Sequence, residues 1–73
     1  MITPGNYKHF KGTVYVVTRI AKHSETLERM VIYTSNLNDY WVRSEQMFEE
    51  LVTWPDGVVR PRFERISDPE DST

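Results

Sequence analysis

The chain reads as a mainly β domain, a small roll or half-open barrel of about five short strands carrying one short helical turn. Three features lead there. Runs rich in Val, Ile, Thr, Tyr and Trp recur at close spacing, in Thr13 to Ala21, Arg29 to Thr34 and Tyr40 to Arg43, and such residues suit a pleated, half-buried surface. Gly, Pro, Asn and Asp punctuate them at Gly12, Asn36 to Asp39 and Pro55-Asp56-Gly57, supplying positive φ, a preset φ or a side chain that bonds its own backbone. Only Ser44 to Phe48 has the pattern of a helix start, so a helical layer is excluded.

The elements follow in order. Met1 to Asn6 is a lead-in with Pro4-Gly5 as a turn, and Tyr7 to Lys11 alternates as a short strand ending at Gly12. Thr13 to Ala21 is the clearest strand. Val14, Val16 and Ile20 make one apolar side and Tyr15, Val17 and Ala21 the other, so the strand is central or switches faces at a bulge. Lys22 to Glu28 loses the apolar pattern and Arg29 to Thr34 restores it, which predicts a hairpin with a longer polar loop. After the turn at Asn36 to Asp39, Tyr40 to Arg43 is a third strong strand. Ser44 is placed to cap a helical turn, with Glu45 at its positive end and Met47 and Phe48 turned inward. Leu51 to Trp54 enters a tight hairpin at Pro55-Asp56-Gly57 and returns as Val58 to Arg60; Pro61 confines Arg62 to Ile66 to an edge or a strand start. Phe10, Val42, Met47, Phe48, Val52 and Phe63 are assigned to the core.

At 73 residues this is one domain, residues 1–66, followed by an acidic tail, 67–73, expected to be disordered. A domain of this size buries only about 60% of its unfolded surface, which favours a shallow groove over a deep pocket. Cysteine is absent, removing disulfides and thiolate zinc sites. No apolar run approaches the roughly 20 residues of a membrane helix, and a cytoplasmic, membrane-free location is expected. The net charge of −2 is set by Asp68, Glu70 and Asp71: residues 1–66 carry nine basic and eight acidic side chains, a net of +1. That near-neutrality argues against indiscriminate nucleic-acid binding, which rests on a basic excess.

Ordered strings along the chain match a known family. Tyr7-Lys8-His9-Phe10-Lys11-Gly12, Tyr15 and Val17, Ala21-Lys22-His23-Ser24-Glu25-Thr26, Val31 and Tyr33, Trp41-Val42-Arg43, Met47-Phe48 and Arg62-Phe63 together resemble the bacterial "domain of unknown function 1653" family over roughly residues 5–66. The family usually has Pro after the Trp-Val-Arg triplet, where this chain has Ser44. The resemblance implies an SH3-type roll and no known activity.

The candidate chemistry centres on His23, Arg43, Arg62, Trp41 and Glu25. Ser24, Glu25 and Thr26 are turn formers, but a turn does not require the imidazole of His23. Arg43 shares a strand side with Trp41, and Arg62 precedes Phe63; a guanidinium fork accepts carboxylate or phosphate, and an indole stacks on a planar ring. The ordinary alternative pairs Arg43 and Arg62 with Glu25, Glu45 or Glu64 and places Trp41 in the core. No metal or cofactor is expected: His9, His23 and Glu25 match no ligand spacing. Adjacent His and Ser lack the converging third group that nucleophilic catalysis needs. The expected function is therefore a non-catalytic, monomeric binding module for an anionic ligand, namely a nucleotide, a single-stranded nucleic acid or a peptide. The alternatives are a protein interaction module and a hydrolase using His23 and Glu25.

Overall fold

In the computed structural model, which describes residues 1–36 and 38–66, the chain forms seven strands and one helical turn. These are β1 (Gly5–His9), β2 (Val14–Lys22), β3 (Arg29–Thr34), β4 (Tyr40–Ser44), α1 (Glu45–Phe48), β5 (Leu51–Thr53), β6 (Val59–Pro61) and β7 (Phe63–Arg65). The count exceeds the expected five because the short β5 and β6 form a hairpin outside the five-stranded sheet. The strands build a five-stranded antiparallel sheet, order β4-β3-β2-β1-β7, and a separate β5-β6 hairpin. The sheet does not close into a barrel. The predicted tail, 67–73, lies outside the described residues.

The two-sided pattern of β2 is explained by its place and its register. It is the central strand, and its pairing with β3 slips between Val17 and Arg19. Side chains alternate faces along a strand, so Tyr15 and Val17 point inward; the extra residue at the bulge resets the parity, and Ile20, opposite Val31, is inward again.

The core is mostly aromatic. Tyr7, Tyr33, Phe48 and Phe63 are buried with Ile2, Val17 and Val31. Phe48 stacks on Phe63 at 4.0 Å and 5°, while Tyr33 meets both edge-on at 5.5 and 5.3 Å. Fully burying a ring of this size contributes about 1.5–3 kcal/mol. Phe48 and Phe63 match the expected core, whereas Val42 and Met47, at 61% and 51% exposure, do not. Val42 faces outward on an edge strand, and α1 is only four residues long, too short to bury a second face. Phe10 and Val52 are half-buried.

Ser44 caps α1 as expected, its Oγ accepting from the Met47 amide at 3.2 Å. Glu45 then ties three segments together: its Oε2 accepts from the Ile2 amide at 2.9 Å and from Arg29 Nε at 3.1 Å. The β5-β6 hairpin turns at Gly57, φ +84°. It folds back so that Trp54 Nε1 donates to the Pro61 carbonyl at 2.9 Å beneath the Arg60 guanidinium.

Candidate functional site

The inner face of the sheet is where chemistry gathers, and the register dictates its membership. Tyr7 opposes Tyr15, Val17 opposes Tyr33, Tyr33 opposes Trp41, Val31 opposes Arg43, and His9 opposes Phe63. Directly opposed residues share a face, so His9, Tyr15, Tyr33, Trp41 and Arg43 stand on the same side as the core. Ring contacts run across it: His9 to Phe63 at 4.8 Å, His9 to Tyr15 at 6.2 Å, and Tyr15 to Tyr33 at 5.2 Å. Arg43 Nε then reaches the Tyr33 hydroxyl at 3.5 Å.

His9 sits at the end of β1, where Gly12, φ +108°, turns the chain back. The turn is closed by the Gly12 amide on the His9 carbonyl at 2.7 Å, and the Lys11 amide donates to His9 Nδ1 at 3.1 Å. That bond makes Nδ1 the acceptor and leaves Nε2 to carry the proton of the neutral ring. Partial burial, followed by the positive charges of Arg62, Lys11 and Arg43, holds the His9 pKa below its ordinary value. The Arg62 guanidinium lies over the Phe10 ring at 5.7 Å, and Phe10 in turn packs on His9 at 4.6 Å.

The sequence-predicted residues divide accordingly. The charges of Arg43 and Arg62 both act on His9, Arg43 from the Tyr33 hydroxyl and Arg62 from over the Phe10 ring. Arg62 pairs with Glu50, while Glu45 is taken by Arg29 and Glu64 by Arg60. Among the described residues no carboxylate pairs with Arg43. Trp41 is 52% exposed. The contacts of His23 stay within its own turn: Nδ1 accepts the Glu25 and Thr26 amides at 3.1 and 3.3 Å. Glu25 therefore meets His23 through its backbone N–H, not through its carboxylate. From the sequence, His9 stands out only as a possible metal ligand. The signal that could have found it is the string His9-Phe10-Lys11-Gly12, an imidazole beside an aromatic and a cation at a glycine turn.

Two cavities flank this face. One, of about 260 Å³, opens beyond Phe10 toward Trp54; the other, about 290 Å³, lies between the N-terminal segment and Phe63. Among the described residues no cluster of three or more His, Asp or Glu side chains is arranged to hold a metal ion, and no helix is long and apolar enough to cross a membrane.

The family profile described as "Protein of unknown function (DUF1653)" matches residues 5–65. The chain belongs to the DUF1653 family. A crystal structure of a DUF1653 protein from Bordetella bronchiseptica is similar at 30% identity and a TM-score of 0.78, covering 92% of this chain and 90% of that one. No curated protein matches. From the strings that carry the DUF1653 resemblance, separate in sequence, Tyr7, His9, Tyr15, Tyr33, Trp41, Arg43 and Phe63 stand on the inner face.

Proposed function

We propose that the inner face of this DUF1653 domain is a non-catalytic binding surface for a nucleotide-type ligand. Arg43, Arg62 and His9 receive the phosphate and Trp41 stacks on the base. The observation that supports this reading best is that the charges of Arg43, Arg62 and Lys11 all act on one half-buried imidazole, with Glu50 as the acid that answers Arg62 and no carboxylate paired with Arg43 among the described residues. Cations that outnumber the acids answering them leave a site whose electrostatics improve when an anion enters. The half-exposed indole beside Arg43 supplies the planar partner, and base–aromatic stacking contributes about 1–3 kcal/mol per base.

Trp41 is also the reporter. The other tryptophan, Trp54, is 7% exposed and covered by Arg60, so an emission change on titration with AMP belongs to Trp41. Binding in the range of about 0.1–1 mM is expected, and Arg43→Gln is expected to weaken it about tenfold, the worth of one charge-assisted hydrogen bond. If millimolar AMP and inorganic phosphate move neither the Trp41 emission nor the amide resonances of His9 and Arg43, the reading fails.

One observation favours a second reading, a protein interaction module. β4 is an edge strand whose Tyr40, Trp41 and Val42 are all more than half exposed, and an open edge with such an apolar stretch is a template for strand addition. Concentration-dependent self-association that Val42→Lys abolishes would select it.

A further inference from the structure

The cavity beyond Phe10 extends the proposed site rather than standing apart from it. Phe10 is shared: one side of its ring takes part in the His9 and Arg62 contacts, and it also lines the 260 Å³ cavity. Lys11 is shared as well, placed 5.8 Å from the Phe10 ring centroid, lining the cavity and acting on the charge of His9. Across the cavity stand Trp54, Lys8 and Arg60. Arg60 stacks on Trp54 with its Cζ 4.5 Å from the ring centroid, and its Nε is buried with no hydrogen-bond partner. Asp56 is the single carboxylate on this wall, and its oxygens are engaged by the Arg60 guanidinium and the Val58 amide. Its pKa is lowered chiefly by that amide, so it stays ionised and paired. Lys8 and Lys11 remain as cations with no carboxylate paired to them among the described residues, both on exposed side chains.

The surface thus repeats one arrangement twice. At Trp41 an aromatic ring stands beside Arg43; at the cavity the half-buried Phe10 ring stands beside Lys8 and Lys11, while Arg60 is answered by Asp56 and Glu64. A mononucleotide has one phosphate and one base and occupies one such unit. Repetition of cation and aromatic on adjoining patches, the second joined to His9 and Arg62 through Phe10 and Lys11 at the end of β1, matches a ligand that itself repeats phosphate and base. We infer that the ligand class of the site is a short single-stranded nucleic acid, running from Trp41 across His9 and Arg62 to a second phosphate subsite at Lys8 and Lys11. This inference rests on the nucleotide reading above and narrows it. The near-neutral net charge of residues 1–66 is compatible, because only two or three phosphates are engaged and the rest of the surface contributes no general attraction.

The experiment compares AMP with a single-stranded adenylate hexanucleotide, a length within the site sizes of small single-strand binders of about 4–16 nucleotides, on the full chain with the Trp41 indole N–H resonance as readout, which is distinct from that of Trp54. The hexanucleotide is expected to bind at least about tenfold tighter than AMP. Lys8→Gln, on an exposed side chain that the fold does not need, is expected to weaken the hexanucleotide about threefold to fivefold, to lower its salt slope by about 0.7, and to leave AMP unchanged. Amide shifts at Lys8 and Gly12 are expected with the hexanucleotide alone. If AMP binds but the hexanucleotide gains nothing, or Lys8→Gln leaves its affinity and salt slope intact, the extension is overturned while the mononucleotide site stands. Failure of both probes overturns both readings. Equal binding by an acidic hexapeptide overturns the nucleic-acid assignment.

Discussion

The two histidines perform the same local task, which is why their identity carried so little information in the sequence. Each offers Nδ1 to an amide two residues on, His9 to Lys11 and His23 to Glu25, both at 3.1 Å. This is the bond an Asn or Asp carboxamide or carboxylate makes in an Asx turn. An imidazole therefore can be a turn residue, and although a turn does not require one at position 23, His23 serves as one there. The same turn contains a strained position. Leu27 has φ +65° because its amide must reach back to the His23 carbonyl at 2.9 Å, and its side chain is 67% exposed, so no packing compensates. The left-handed region costs a residue with a Cβ about 1–2 kcal/mol, partly offset by the greater unfolded-state freedom of glycine. Leu27→Gly is accordingly expected to stabilise the domain by about 0.5–1 kcal/mol. Urea unfolding at neutral pH measures it; a lower midpoint for the variant would contradict the strain argument.

At the level of elements, what was legible was whatever local chemistry decides. Ser44 capping α1, the turn at Pro55-Asp56-Gly57 and the β3 boundaries Arg29–Thr34 all depend on neighbouring residues, and all were readable. The bulge in β2 was open between two alternatives, since a slip in register depends on the partner strand as much as on Val17 to Arg19. Glu45 shows the other limit. Its helix-start role is local, but its bonds to Ile2 and Arg29 are separated by 43 and 16 residues. The Ile2 amide bond, ahead of Arg29, holds the Glu45 carboxyl below its ordinary value of 4.5. A carboxylate with a lowered folded-state pKa stabilises above its unfolded pKa, and that stability is lost as pH falls through the folded value. Glu45→Gln should therefore cost about 1–2 kcal/mol at pH 7, and the gap to the parent should shrink as both are acidified well below pH 4.5. A gap that persists undiminished at low pH would assign the effect to packing instead of charge.

Over the whole molecule, the site was half legible. Arg43, Arg62 and Trp41 could be singled out because Arg beside an aromatic has a chemistry of its own; that the charges of both arginines act on His9 depends on five strands pairing in one order, which no local pattern encodes. This shared influence makes a pair of opposite pH dependences the sharpest check on the reading. The folded-state pKa of His9 lies below its ordinary 6.5, through burial first and then Arg62, Lys11 and Arg43. Below pH 6.5 the unfolded chain takes up a proton that the folded imidazole resists, so the contribution of His9 to stability is complete above pH 6.5 and declines as pH falls toward the lowered value. An anion seated between His9, Arg43 and Arg62 reverses the local balance, favours the imidazolium, and by linkage binds more tightly as pH falls through the same window. The dinucleoside phosphate ApA is a suitable probe, because its phosphodiester charge does not change there. His9→Asn keeps an acceptor for the Lys11 amide and removes the titration. In the parent, stability should fall and ApA affinity rise between pH 6.5 and the lowered pKa; in His9→Asn both slopes should flatten. An ApA affinity that stays level in the parent while stability falls would mean that the anion does not reach His9.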